Sequence, residues 1–206
     1  MDSKFNFLFT NTRGALLLGF LLLWQFKGFT QSSDDQVWVV QKSSKIYITG
    51  NSNLNKFRCD IPQVTVTDTL ISFEKSDGKI CVFYPNEIKL AVKDFDCGHT
   101  VMTKDLQHTL QMKDFPYIKM SFITLHKQTE DEKALTNMWI EIAGTKKLVV
   151  AKGLYEANGK TKKFNGEKSI CLSDFNIDAP EKFMGMIKVQ DEIQVNFEIL
   201  FEEIQL

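Results

Sequence analysis

The side chains in this sequence with the right types for chemistry are three histidines and a run of acids. His99, His108 and His126 fall close to Asp94, Asp96 and Asp105. A histidine oriented by a carboxylate is a common general base, so this is where a hydrolase would be sought. The spacing does not assemble one. His99 follows Cys97-Gly98 in a turn, His108 falls off the apolar stripe of its helix, and His126 closes a strand ahead of the charged Lys127–Lys133 stretch. No serine or cysteine has a nucleophile motif around it. The dinucleotide, P-loop, zinc-protease and GxSxG signatures are all missing from the sequence. Each histidine reads better as a surface or structural residue, and no cofactor or metal is implied.

Cysteine is the other reactive type. Cys59, Cys81, Cys97 and Cys171 contain no CxxC spacing, which argues against zinc. Their meaning depends on the compartment. Lys4 and Arg13 precede the apolar run Ala15–Phe26 (ALLLGFLLLWQF), and Gly28 and Thr30 offer small residues at −3 and −1. That is the pattern of a signal peptide, residues 1–30, cleaved before Gln31. The apolar run is too short for a span, which needs about 20 residues. Export to the periplasm or beyond permits disulfides. Four cysteines allow three connectivities. Phe57-Arg58-Cys59 and Phe95-Asp96-Cys97 each end an alternating strand with an aromatic two residues earlier on the same face, so Cys59–Cys97 is the expected pair.

The chain has 206 residues, 43% of them hydrophobic and 25% charged, as expected of one globular domain. Its net charge of −1 includes a surplus of +2 in residues 1–30 (Lys4, Arg13 and Lys27 against Asp2), so cleavage leaves −3. Nucleic-acid binding, which favours a basic surplus, is not expected.

From Gln36 onward the elements that would position a site are nearly all strands. Lys45–Thr49 alternates and stops at Gly50. Asp77-Gly78 and Asn158-Gly159 are hairpin signals, and Glu87–Phe95 reads as a further strand. In the last strand Ile193, Val195, Phe197, Ile199 and Phe201 share one face. The exception is Met102–Phe122. Met102, Leu106 and Leu110 recur at i, i+4 and i+8, with Thr103 as a plausible N-cap. Asp114-Phe115-Pro116 ends the helix before the strand Tyr117–Phe122. Antiparallel strands with one wet face imply an all-β sandwich or up-and-down barrel, and the single helix favours a barrel with the helix at its mouth or in its lumen.

Several stretches carry a family resemblance. Trp38 and Ser43–Gly50 open it. Asp105, His108, Leu110, Phe115-Pro116 and Phe122 continue it, followed by Ile142–Lys147, Leu172–Ile177, Pro180, Gly185–Val189 and Asp191–Val195. In this order they resemble the YceI-like family, exported lipocalin-like barrels that bind polyisoprenoid lipids. The likeness covers residues 36–204. Met102-Thr103-Lys104-Asp105 stands where the family usually has an arginine-rich form. The resemblance implies an all-β domain over 31–206, an antiparallel eight-stranded lipocalin-like barrel that holds a polyisoprenoid or other long-chain apolar lipid by burial. The side chains implied to touch it are Met102, Leu106, Leu110, Phe115, Phe122, Phe175, Phe183, Met186 and Phe197. The competing reading is a secreted structural or stress-response barrel whose interior is simply filled, since eight strands leave room only for side chains or one small ligand. A homodimer is left open.

Overall fold

Alternation along the chain dictates strands, and the strands pair in the order that lets each bury its apolar face inward. A computed structural model describes residues 36–61, 69–74, 80–83, 87–128 and 132–204. Among these the strands are β1 (Gln36–Val40), β2 (Lys45–Ser52), β3 (Lys56–Ile61), β4 (Thr69–Glu74), β5 (Ile80–Phe83) and β6 (Ile88–Ala91). After the helix α1 (Thr100–Thr109) come β7 (Tyr117–Lys127), β8 (Lys133–Ile142), β9 (Thr145–Asn158), β10 (Thr161–Cys171), β11 (Glu181–Lys182) and β12 (Ile187–Ile204). Two 3-10 turns, Val92–Asp94 and Leu172–Phe175, come directly after β6 and β10. The expected signal peptide and the Asp77-Gly78 turn lie outside the described residues.

All pairings are antiparallel. The path runs β1-β4-β5-β7-β8-β9-β10-β12, and β1 pairs β12 as well as β4, so the curled sheet closes through eight strands. This is the expected barrel. β12 is its longest strand: β10 lies along one edge, while β2 and β1 share the other in succession. β7 is divided in the same way. Tyr117–Met120 pairs with β6, and Ile80–Val82 of β5 takes over at Thr124–His126. A register shift against β8 between Phe122 and Thr124 marks the changeover. One end of the barrel is therefore walled by β1, β4 and β5, the other by β2, β3 and β6.

The first end is filled. Phe122, Phe164, Phe197 and Phe201 are all buried, with Phe164 and Phe197 ring centroids 5.6 Å apart and Phe122 and Phe201 at 6.1 Å. Only about 20 Å³ is left among Trp38, Phe83, Phe122, Leu125, Phe164 and Phe201. Gly166 makes room for this packing, since a Cβ there would stand 2.5 Å from the Phe197 ring.

Two local readings are corrected. The helix starts at Thr100, so His99, not Thr103, occupies the N-cap position; Thr103 accepts the Cys97 N–H at 3.0 Å from one turn further in. The stretch read as the strand Glu87–Phe95 is a strand only over Ile88–Ala91, because the chain then turns to bring Asp96 beside β3.

Candidate functional site

The second end of the barrel is hollow, and α1 is its roof. Asp60 and Asp96 exchange two backbone hydrogen bonds of 2.8 Å, which lays the segment before α1 along β3. Beside that pair the Cys59–Cys97 disulfide joins the same two segments, with Cα atoms 3.9 Å apart. The pairing expected from strand context is the one present; Cys81 and Cys171 are not part of it. Further along α1, Asp105 accepts an ion pair from Lys182 of β11 at 2.7 Å, and the Gln107 amide donates to the Lys93 carbonyl at 3.1 Å. The helix is thus pinned at its start by a covalent bond and along its length by contacts to two separate segments. An ion pair as exposed as Asp105–Lys182 contributes little to stability, on the order of 0.5 kcal/mol, so its role is to fix position.

Beneath α1 lies a cavity of about 360 Å³. Met102, Leu106 and Leu110 line its roof, as the i, i+4, i+8 stripe requires. Ile48, Cys59, Leu172 and Ile193 also line it, as do Phe57, Ile187 and Val189. Leu54, Val101 and Phe183 line it as well and are exposed, so they form its mouth. The polar lining residues are Ser52, Asn55, His99, Asp105, Thr109 and Lys182, none of them buried. Such an arrangement accepts an apolar chain and leaves a polar group at the entrance.

Of the nine side chains drawn from the sequence, the structure brings Met102, Leu106, Leu110 and Phe183 together in this cavity. Phe122 and Phe197 lie in the filled end. Phe175 is buried in the 3-10 turn after β10. Phe115 is half-buried with its ring against the β8–β9 turn, where a Cβ on Gly144 would approach it to 2.6 Å. Met186 is exposed and does not line the cavity; its carbonyl accepts from the Asn53 amide at 2.8 Å. The residues missed are Ile48, Phe57, Leu172, Val189 and Ile193. Their inward parity was visible in the strand alternation, but which end of the barrel stays open depends on pairing between segments far apart in sequence.

The three histidines fall on two different elements. His99 at the N-cap position and His108 on α1 are exposed, and His126 sits on β7 with one ring nitrogen 3.2 Å from the Thr124 hydroxyl. Among the described residues no cluster of three His, Cys, Asp or Glu side chains is placed to hold a metal, and no helix is long and apolar enough to cross a membrane. The most developed polar cluster is elsewhere. Asp191 of β12 accepts the Ser173 backbone N–H at 2.8 Å and the Ser173 hydroxyl at 2.5 Å. Those bonds hold its carboxyl below the usual carboxylate range. Burial, and then the negative charge of Asp191, push the neighbouring Cys171 thiol up, away from the reactive thiolate. This cluster staples the 3-10 turn to β12.

Residues 38–201 match the family model described as the YceI-like domain. Two solved structures share the fold. The crystal structure of Burkholderia cenocepacia BcnA aligns with a TM-score of 0.55 at 16% identity, covering 76% of this chain and 95% of that one. A mutant of the Campylobacter jejuni YCEI protein aligns with a TM-score of 0.52 at 15% identity, covering 68% of this chain and 82% of that one. No curated protein matched the chain by sequence.

Proposed function

The chain belongs to the YceI-like family, barrels that bind polyisoprenoid-like ligands and are generally binding proteins rather than enzymes, and from that premise we propose that it holds a polyisoprenoid or similar long apolar chain in the cavity beneath α1. The observation that carries this reading is the contrast between the two ends of one barrel. A barrel built only for structure would be filled at both. Among the described residues the aromatic-packed end leaves about 20 Å³ and the end under α1 about 360 Å³.

The volume supports a ligand that is only partly inserted. An apolar cavity of ~150 Å³ accommodates one benzene ring, so this one takes roughly two isoprene units. A longer chain must run out through the mouth between Leu54, Val101 and Phe183. Each buried methylene contributes about 0.8 kcal/mol, so ten carbons held inside suffice for roughly micromolar affinity. Met102, Leu106, Leu110 and Phe183 are the sequence-read residues we assign to this contact, with Ile48 and Ile193 opposite. The enzyme reading has no comparable support: two of the three histidines belong to α1 and its N-cap and the third to β7.

Organic extraction of the purified protein, followed by mass spectrometry, tests the proposal. A stoichiometric apolar chain supports it; a protein that carries none from its native host overturns it in favour of a structural barrel that holds no ligand. The disulfide is consistent with export. We further propose that residues 1–30 are removed and that the protein works in the periplasm or outside the cell. The expected mature N-terminus is Gln31, and an intact mass that retains Met1 would refute this.

A further inference from the structure

The cavity mouth is ringed by apolar side chains that the fold leaves in solvent. Leu54, at the β2–β3 turn, is 69% exposed, Val101 on α1 is 61%, and Phe183 and Met186 in the β11–β12 turn are each 68%. Met184, between them, is fully exposed. Three separate segments thus place their apolar tips around one opening. The turn that carries Phe183 and Met184 does so in an unfavourable backbone conformation, with φ of 51° and 54° followed by 85° at Gly185. Bulky residues rarely adopt the left-handed region, and backbone strain of this kind concentrates where function requires it. Asn53 holds the turn in place, its amide donating to the Met186 carbonyl and its side-chain oxygen accepting the Lys188 N–H at 2.9 Å.

The charges beside this rim choose the partner. Lys182 and Lys188 are neutralised by Asp105 and Glu181. Lys56 follows the Leu54 turn, and Lys104 lies one helical turn from Val101; both are exposed and have no carboxylate partner among the described residues. Protruding apolar tips flanked by unpaired lysines match the interface of a bilayer with anionic headgroups. There the side chains reach the acyl boundary and the ammonium groups meet phosphate. We propose that the mouth docks on an anionic lipid surface through Leu54, Val101, Phe183, Met184 and Met186, so that the apolar chain passes between bilayer and cavity without crossing water. This deepens the proposed function and rests on it, because an insoluble chain that must run out of the mouth needs an apolar destination there.

Flotation of the full chain with vesicles of phosphatidylcholine and phosphatidylglycerol tests the docking. The variant Phe183→Asp/Met184→Asp should lose vesicle partitioning by about a hundredfold, since two apolar insertions are replaced by charges the headgroups repel. Lys56→Ala/Lys104→Ala should lose about tenfold on these vesicles and nothing on pure phosphatidylcholine. Leu148→Asp/Val150→Asp, on an exposed apolar patch of the β9 outer wall, should match the wild type. All variants share residues 1–35, which therefore do not account for any difference. Met184→Trp gives an independent readout: its added fluorescence should be quenched by brominated acyl chains. The proposal is overturned if the Phe183/Met184 variant floats like the wild type, if the β9 variant loses as much, or if the Met184→Trp signal is not quenched. Parallel extraction separates the two readings. A wild type that yields an apolar chain but does not float overturns docking alone, whereas one that yields no chain yet inserts its rim removes the ligand and leaves docking standing.

Discussion

Replacing Cys59 and Cys97 by alanine should cost this barrel a large part of its stability, and the structure sets the size. The bond joins residues 38 apart in sequence. On the chain-entropy account, cross-linking a loop of that length removes about 13 cal/mol/K from the unfolded ensemble, or about 4 kcal/mol at 25 °C. For a domain of this length each kcal/mol moves the melting temperature by about 2–4 °C, which gives a fall of roughly 8–16 °C. The effect is local as well as global. Without the covalent link, the start of α1 is held to β3 by the Asp60–Asp96 backbone pair alone, so the roof over the cavity should open more often and release its ligand faster. The assay is thermal unfolding followed by circular dichroism, with and without reductant, for the wild type and the double variant. Reductant should lower the wild-type transition to that of the variant and leave the variant unchanged. A wild-type transition that does not move under full reduction, verified by thiol counting, would refute the argument that this bond secures the roof.

Leu106→Asp places an unpaired carboxylate in the cavity roof; bound ligand should fall well over tenfold by extraction while circular dichroism stays native, and Leu148→Asp, on the outer wall of β9, should retain the wild-type ligand content. Gly166→Ala drives a methyl into the Phe197 ring and should cost about 1–3 kcal/mol in urea unfolding, with ligand content per folded protein preserved because the crowding is at the filled end. Asp191 has its folded-state value lowered by Ser173, so its contribution is present above the ordinary carboxylate range and is lost as pH falls through the lower, folded value. Asp191→Asn should therefore weaken the protein at neutral pH and flatten its stability loss on acidification below the ordinary carboxylate range, read as the urea midpoint against pH. An unchanged profile would mean the Ser173 bonds carry no stability.

Much of this fold was legible because strand alternation is a local signal. Residues 193, 195, 197, 199 and 201 share a face by parity alone, and the structure buries four of them fully. The Asn158-Gly159 turn announces the β9–β10 hairpin in the same way. What was not legible is set by long-range register. Phe122 and Leu106 look equally apolar in sequence, yet one belongs to the packed end and the other to the cavity. The difference is made where β7 passes from β6 to β5 and where β12 passes from β2 to β1. Composition misleads in a second way. Phe175 and Phe197 resemble ligand-facing aromatics, but rings of that size are also what fills a narrow barrel. Met186, expected among the ligand-facing side chains, stands in solvent.

The two ends of the barrel explain each other energetically. Truncations that leave closed cavities cost about 24 cal/mol per Å³, so a sealed, dry void of 360 Å³ would cost about 9 kcal/mol. Whole domains have only about 5–15 kcal/mol to lose, so a sealed version of this cavity would consume most of that margin. The mouth between Leu54, Val101 and Phe183 changes the account, because solvent or ligand can supply contacts that a sealed void forfeits. The remaining deficit falls on the structure around the opening. That is where the covalent bond is found, at the start of the roof, rather than at the end that Phe122, Phe164, Phe197 and Phe201 already fill. A ligand that enters then stabilises the fold by mass action, in proportion to how far its concentration exceeds its dissociation constant. The hollow end is thus tolerated because the opposite end is packed to completion, and it keeps its shape because α1 is tied down by a bond that does not depend on the contents of the cavity.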